Sequence, residues 1–405
     1  MSVLNLIERI SQFSLEGLGT TRWAYSPEDR LAREIIVGEM IRIGMSVRED
    51  EIGNLFGRLP GTEEGALPVA LGSHLDTVPE GGNYDGILGV VGALAAVERL
   101  QQEGAVFKNP VEVIVFAAEE SSRFNVATMG SKAMAGRAPI EQWCLLKDKQ
   151  GMTFEEALNA CGLKPDQLSG VIRKAGEWKA FLELHIEQGP VLEKEGLEIG
   201  VVQAIVGLLG LKVVVKGQAG HAGTTPMVGR RDALVSASHI IQAVQEVGLS
   251  ESDLGTVATI GEFKVFPGAM NVIPGRVEIW IDLRSIDEES LMRAFQTLKD
   301  EIADICAEAE TGASIEVLYS EKPVPMSGEI VDLLKNICEK EKISYRLMPS
   351  GAGHDAMNMA ELTNAGMIFI PCRDGLSHHP EEYASPEDME RGIRVLMQAL
   401  RELAC

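Results

Sequence analysis

The chain has 405 residues, with 60 acidic against 37 basic side chains and a formal net charge of −23. Nucleic acid and anionic membrane both reward clustered Lys and Arg, so this balance excludes them as partners. A hydrophobic fraction of 45% and a charged fraction of 24% are those of an ordinary globular chain, long enough for two or three domains.

In chain order, apolar residues at helical spacing predict helices over residues 4–13 and 30–43. The first carries Glu8 and Arg9 inside its apolar pattern, unlike a secretory signal. β-Rich runs follow at 69–75 and 111–118, with a helical stretch at 89–100 between them. Strand, helix and strand in that order point to an α/β sheet, whose chemistry collects at the strand ends. The longest apolar run, residues 87–97, is too short to span a bilayer. After Gly210 the pattern changes. Residues 211–217 and 276–284 alternate apolar and polar side chains, as half-exposed antiparallel strands do. Strands at 256–264 and 314–318 and helices at 233–247 and 289–307 complete an α+β module with one sheet face open. α/β character then returns with a helix at 329–340, a strand at 367–371 and a helix at 386–403. The expected organisation is an α/β domain over 1–209 and 321–405, interrupted by an inserted α+β domain over 210–320. Cys144, Cys161, Cys306, Cys338, Cys372 and Cys405 form no C-x-x-C pair and read as reduced thiols, which places the chain in the cytoplasm.

Four polar clusters sit at predicted strand ends. In GSHLDTVPEGGNYDG, His74 and Asp76 alternate on a strand end and share a face, and Asp85 follows in a Gly-rich turn. A His and a carboxylate converging there suit a divalent ion such as zinc or manganese. In FAAEESSRF, Glu119 and Glu120 face opposite ways on extended chain, so one can bind a cation while the other serves as general base. ELHIEQG offers His185, Glu187 and Gln188, and DGLSHHPEEY offers His378 and His379. A ligand from each cluster gives two metal sites sharing a bridging carboxylate, provided the chain folds back as an α/β sheet. His239 lies in a helical pattern and reads as structural.

With these motifs the chain resembles the hydantoinase/carbamoylase group of the metal-dependent aminoacylase and carboxypeptidase superfamily. GSHLDTV, GGNYDG, EESSRF, ELHIEQG, GHAGTTPM, NVIPG, DLRS, SGAGHDA and DGLSHHPEE occur in the group's order from residue 72 to 382. The resemblance implies a mixed-sheet, di-metal catalytic domain with an inserted lid and dimerisation domain. It implies two divalent ions per subunit (zinc, manganese, cobalt or nickel), with Asp85 bridging, His74 and His185 on one ion, and Glu120 and His378 on the other. Glu119 is then the general base and Asp76 orients His74. His221 reaches the site of a neighbouring subunit and stabilises the oxyanion. Asn271 and Arg284 hold a substrate carboxylate, and Gln188 and His354 line the same pocket. His379 and Cys372 take no role.

The activity so implied is hydrolysis of a carbamoyl (ureido) C–N bond in a small anionic substrate by a homodimer. An N-carbamoyl-L-amino acid, giving the L-amino acid, CO2 and ammonia, is the main reading. Allantoate is the alternative within the group, and a dipeptidase or aminoacylase is the more distant one. A non-enzymatic binding protein is expected to lack Glu119 or a metal ligand, and none is missing.

Overall fold

The computed structural model describes residues 2–405. Its strands are β1 (Ser46–Glu49), β2 (Leu55–Leu59), β3 (Val69–His74), β4 (Val111–Phe116), β5 (Ala180–Ile186), β6 (Ile199–Ile205), β7 (Gly207–Lys216) and β8 (Gly220–His221). They continue with β9 (Val257–Phe266), β10 (Val272–Ile273), β11 (Arg276–Ser285), β12 (Gly312–Glu321), β13 (Val324–Pro325), β14 (Tyr345–Ser350) and β15 (Asn364–Ile370). Two compact units divide the chain: residues up to Gln203 with Met326–Cys405, and Ala204–Pro325. The second unit is a few residues wider at each end than 210–320. β7 already begins at Gly207, before the composition changes, and Val324 pairs with Ile205 at the base of the insertion.

In the first unit the sheet order is β1-β2-β4-β3-β5-β15-β6, with β14 also on β6. β4, β3, β5 and β15 are mutually parallel, whereas β1, β2 and β6 join antiparallel, so the sheet is mixed. Every residue of β3, β4 and β5 is buried, which explains their largely apolar composition: helices cover both faces of a parallel sheet. The helix Ile87–Gln102 is apolar on nearly all sides because it packs against both the sheet and the helix Pro386–Ala404. Ser385 caps that last helix through the Asp388 N–H, and Pro386 at its first position fixes the helical φ.

The second unit is an antiparallel sheet in the order β12-β7-β11-β9 with the helices Ala233–Ser250 and Glu288–Glu308 on one face. β11 shows the reason for its alternation. Val277, Ile279, Ile281 and Leu283 are buried against the helices, while Glu278, Trp280, Asp282 and Arg284 lie on the other face. Asp232 and Asp287 cap the two helices. A separate ribbon pairs β8 with β10, Val272 opposite His221.

Candidate active site

The carboxyl ends of the four parallel strands deliver the candidate residues of the first unit to one edge of the sheet. His74 ends β3, Glu119 and Glu120 follow β4, His185 is the penultimate residue of β5, and His378 lies in the loop after β15. Asp85 sits just before the helix Ile87–Gln102, where the amino end of the helix favours a negative charge. Between them Gly86 has φ +70°, and a Cβ there would lie 2.4 Å from the His74 ring, so only glycine lets the turn approach.

Asp85 is the hub. Its Oδ1 lies 3.1 Å from Nε2 of His185 and 3.6 Å from Nε2 of His74, and its Oδ2 lies 3.3 Å from Nε2 of His378. Glu120 Oε1 is 3.5 Å from that same His378 nitrogen, and Glu119 Oε2 is 3.7 Å from Nε2 of His74. The ligand atoms of His74, Asp85 and His185 lie within 4.8 Å of one another, as do those of Asp85, Glu120 and His378.

Ring orientation decides what these atoms can do. Nδ1 of His74 is 3.0 Å from the Asp76 carbonyl and Nδ1 of His185 is 2.9 Å from the Ile186 carbonyl, so each donates its proton there. The Gly86 N–H, 3.2 Å from Nε2 of His185, also needs a lone pair on that nitrogen. Charge alone would argue otherwise for His185: burial lowers its pKa, but Asp85 and Glu183 raise it to about 9. The hydrogen-bond geometry is the more direct constraint, and the ring is read as neutral. His74 is held down to about 4, first by burial.

Lone pairs on Nε2 therefore face carboxylate oxygens. Glu119 and Glu120 are pushed well above the usual carboxylate range, first by burial and then by neighbouring carboxylates. Burial works the same way on Asp85; protonated His185 and His378 would outweigh it and hold that group well below the range, a lowering that a neutral His185 ring with its lone pair toward Asp85 does not supply. Three imidazoles and three carboxylates at one edge, all but the exposed His378 largely removed from water, are unfavourable without a compensating cation. Nitrogen and oxygen donors in these proportions fit zinc or manganese.

Other expected residues take more particular positions. Asp76 Oδ1 and Oδ2 accept the backbone N–H groups of Glu119 and Glu120 at 3.2 and 3.0 Å. Its carboxylate, 3.8 Å from Nδ1 of His74, thus clamps the Glu119–Glu120 turn, and its backbone carbonyl orients His74. Gln188, at φ +58°, donates from Nε2 to Asp85 Oδ2 at 2.7 Å, and its Oε1 is buried with no partner among the described residues. His354 is buried with its ring 4.5 Å from that of His185, edge on, and its Nε2 is 2.8 Å from Ser350 Oγ. His379 accepts the Glu381 N–H within an exposed turn.

In the second unit, Nδ1 of His221 accepts the N–H groups of Gly223 and Thr224 at 3.1 and 3.2 Å, which leaves the ring proton on Nε2. The Ala222 N–H donates to the Asn271 carbonyl, so His221 and Asn271 share the β8–β10 ribbon. Arg284 Nε lies 2.7 Å from Asp282 Oδ1 on β11.

Several functional positions had no assigned role in the sequence reading. Glu382 Oε1 accepts the N–H groups of Tyr84 and Asp85, and its Oε2 accepts Ser377 Oγ–H, which also reaches Asp85 Oδ2 at 3.0 Å. Its only sequence signal is its place in SHHPEEY. Glu183 accepts from Ser73 Oγ and the Ala356 N–H, tying together the segments that carry His74, His185 and His354.

Fold and cluster together define a class of hydrolase. Residues 70–402 match peptidase family M20/M25/M40, and the chain belongs to that family. It is 41% identical over 397 residues to an N-carbamoyl-L-amino-acid amidohydrolase of Paenarthrobacter aurescens, covering 98% of this chain and 96% of that one. It is also 41% identical over 387 residues to an allantoate amidohydrolase of Escherichia coli (strain K12), covering 95% and 93%. A solved hydantoinase/carbamoylase family amidase from Burkholderia multivorans superposes with a TM-score of 0.92 at 36% identity, over 100% of this chain and 97% of that one. No helix among the described residues is long and apolar enough to cross a membrane.

Proposed function

We propose that the protein is a metal-dependent amidohydrolase that cleaves the carbamoyl C–N bond of N-carbamoyl-L-amino acids. One water is consumed, and the L-amino acid, CO2 and ammonia are released. The observation that carries the reading is the convergence of His74, His185, Glu120 and His378 on Asp85, with Glu119 buried beside them. The near full-length likeness to enzymes named for ureido substrates supports the substrate class.

His74 and His185 would hold one divalent ion and Glu120 and His378 a second, with Asp85 shared; zinc, manganese, cobalt or nickel suits these donors. Such ions, when bound, polarise a carbonyl and acidify water. Glu119 accepts the proton of the attacking water and returns it to the leaving nitrogen. Asp76 fixes the Glu119 backbone during that exchange. His221, whose proton is held on Nε2, is the oxyanion donor. Arg284 and Asn271 hold the substrate carboxylate, and Gln188 and His354 line the pocket.

Allantoate is the second reading, favoured by the equal likeness to an allantoate amidohydrolase. Ammonia release from N-carbamoyl-L-methionine, allantoate and ureidoglycolate, each with manganese, cobalt or zinc, separates the two. A higher kcat/KM on allantoate selects the alternative, and faster cleavage of acetyl-methionine or a dipeptide overturns both.

A homodimer through the second unit belongs to the same proposal. Val257, Phe263, Val317 and Tyr319 are exposed on its strands. Light scattering that finds a fully active monomer would contradict it.

A further inference from the structure

The loop from His74 to Asp85 carries much of the proposed metal centre, and it makes little regular structure of its own. It is held instead by residues 20–22. Thr20 exchanges two backbone hydrogen bonds with Gly81, and its hydroxyl bonds Asn83 Oδ1. Thr21 Oγ1 accepts the Glu80 N–H at 2.7 Å. Arg22 N–H donates to Thr77 Oγ1 at 2.8 Å, Thr77 N–H returns to the Arg22 carbonyl at 2.9 Å, and Thr77 Oγ1–H reaches the Thr20 carbonyl.

The Arg22 side chain completes the brace. It is 0% exposed, and its Nε donates at 2.8 Å to the carbonyl of Leu75, the residue between His74 and Asp76. One terminal nitrogen donates to the Ile10 and Phe13 carbonyls at 3.0 and 2.9 Å, at and beyond the end of the helix Val3–Ser11, and the other is buried with no partner among the described residues. Burial draws its pKa down to about 10, against the opposing charges of Asp29 and Asp76, so it stays cationic at neutral pH. A charge buried on carbonyls, with no carboxylate hydrogen-bonded to it, is unfavourable in itself, although its removal would leave three carbonyls without their donor. What the guanidinium adds is a rigid fork that locks the Leu75 carbonyl to the amino-terminal helix.

We propose that Arg22 is a positioning residue for the metal-ligand loop, setting the placement of His74 and Asp85 through the Leu75 carbonyl and Thr77. The inference rests on the reading of His74 and Asp85 as ligands. Outer partners of metal ligands typically change affinity about 10- to 100-fold when removed, and that is the effect expected here. The test uses full-length protein, Arg22→Lys, Arg22→Met and Thr77→Val. Each is checked for cooperative melting, then titrated with Mn2+ while free ion is followed by electron paramagnetic resonance. Folded Arg22→Lys and Thr77→Val are expected to bind Mn2+ about 10- to 100-fold more weakly, Arg22→Lys less affected than Arg22→Met. Their kcat on N-carbamoyl-L-methionine is expected to fall with KM little changed. Folded variants with the parent's Mn2+ affinity overturn the proposal, even if they melt at lower temperature. If Arg22→Met does not fold, Thr77→Val and Arg22→Lys decide. A parent protein that binds no Mn2+, zinc or cobalt refutes the metal-centre reading itself and this inference with it.

Discussion

Oδ1 of Asp85 lies 3.1 Å from Nε2 of His185, while Nδ1 of the same ring is 2.9 Å from the Ile186 carbonyl. The second contact places a proton on Nδ1 and the Gly86 N–H, 3.2 Å from Nε2, needs a lone pair there, so the first sets that lone pair against a carboxylate oxygen. That arrangement is repulsive until a cation enters it. Chelation is therefore expected to lower stability, since a ligand at 100 times its Kd adds about 2.7 kcal/mol to the folded state. Protein treated with EDTA should melt at a lower temperature, and manganese or zinc should restore the transition. Identical melting curves with and without chelator would refute the expectation.

Glu119 stands beside the cluster and outside both ligand groups, with Oε2 3.7 Å from Nε2 of His74. Glu119→Gln keeps its shape and removes its basicity. Loss of a general base costs about 10^2- to 10^4-fold in rate. The variant should lose kcat on that scale with unchanged KM and unchanged bound metal by elemental analysis. Metal lost in step with activity would move Glu119 into the ligand set instead.

The ligand candidates were legible because each falls in a Gly- or acid-rich motif at the end of an apolar run. β3 and β4 announce themselves by burial on both faces, and His74 and Glu120 follow directly. β1 is short and half-exposed, and the helices Met129–Met134 and Phe154–Ala160 span about two turns or less, too little for a period to show. The role of the Asp76 carboxylate was hidden for a different reason. Its partners are backbone N–H groups 43 and 44 residues away, and periodicity carries no trace of such pairs. Glu382 is the same case at a separation of 297 residues from Asp85.

Arg284 pairs with Asp282 through two nitrogens, at 2.7 and 3.3 Å, and the Tyr319 hydroxyl donates to the same carboxylate at 3.1 Å. The proposed hold of Arg284 on the substrate carboxylate needs a guanidinium, which can grip a carboxylate in two places as it grips Asp282, and a lysine cannot. Hydrogen bonds to charged groups contribute about 1.5–3 kcal/mol, or roughly 10- to 150-fold in binding. Arg284→Lys should raise KM for N-carbamoyl-L-amino acids within that range. A carbamoyl amine lacking the carboxylate should be cleaved equally by parent and variant. An equal loss on both compounds would place Arg284 elsewhere in the mechanism.

Behind the cluster, Arg33 and Asp29 form an ion pair at 2.9 Å with side chains 4% and 1% exposed. The remaining Arg33 nitrogens donate to the Gly53 carbonyl at 2.7 Å and the Phe116 carbonyl at 3.0 Å. Phe116 ends β4, three residues before Glu119, so this arginine braces the strand end that carries the proposed base. Asp29 also accepts the Tyr25 N–H and lies in the first turn of the helix Pro27–Arg42, whose amino end is capped by Ser26. Arg33→Met removes the cation but leaves the Asp29 carboxylate and two carbonyls in the interior. Breaking a buried pair from one side typically destabilises by about 3–5 kcal/mol, because the surviving charge is uncompensated. Replacing both partners, as Arg33→Met with Asp29→Leu, removes that charge and should recover part of the loss. The Tyr25 N–H and two carbonyls still lack partners in the double variant, so recovery should be incomplete. Urea denaturation of the parent, both single variants and the double variant closes the thermodynamic cycle. Additive losses would show that the pair acts as two independent hydrogen-bonding groups, whereas a double variant more stable than Arg33→Met alone is the outcome expected from burial.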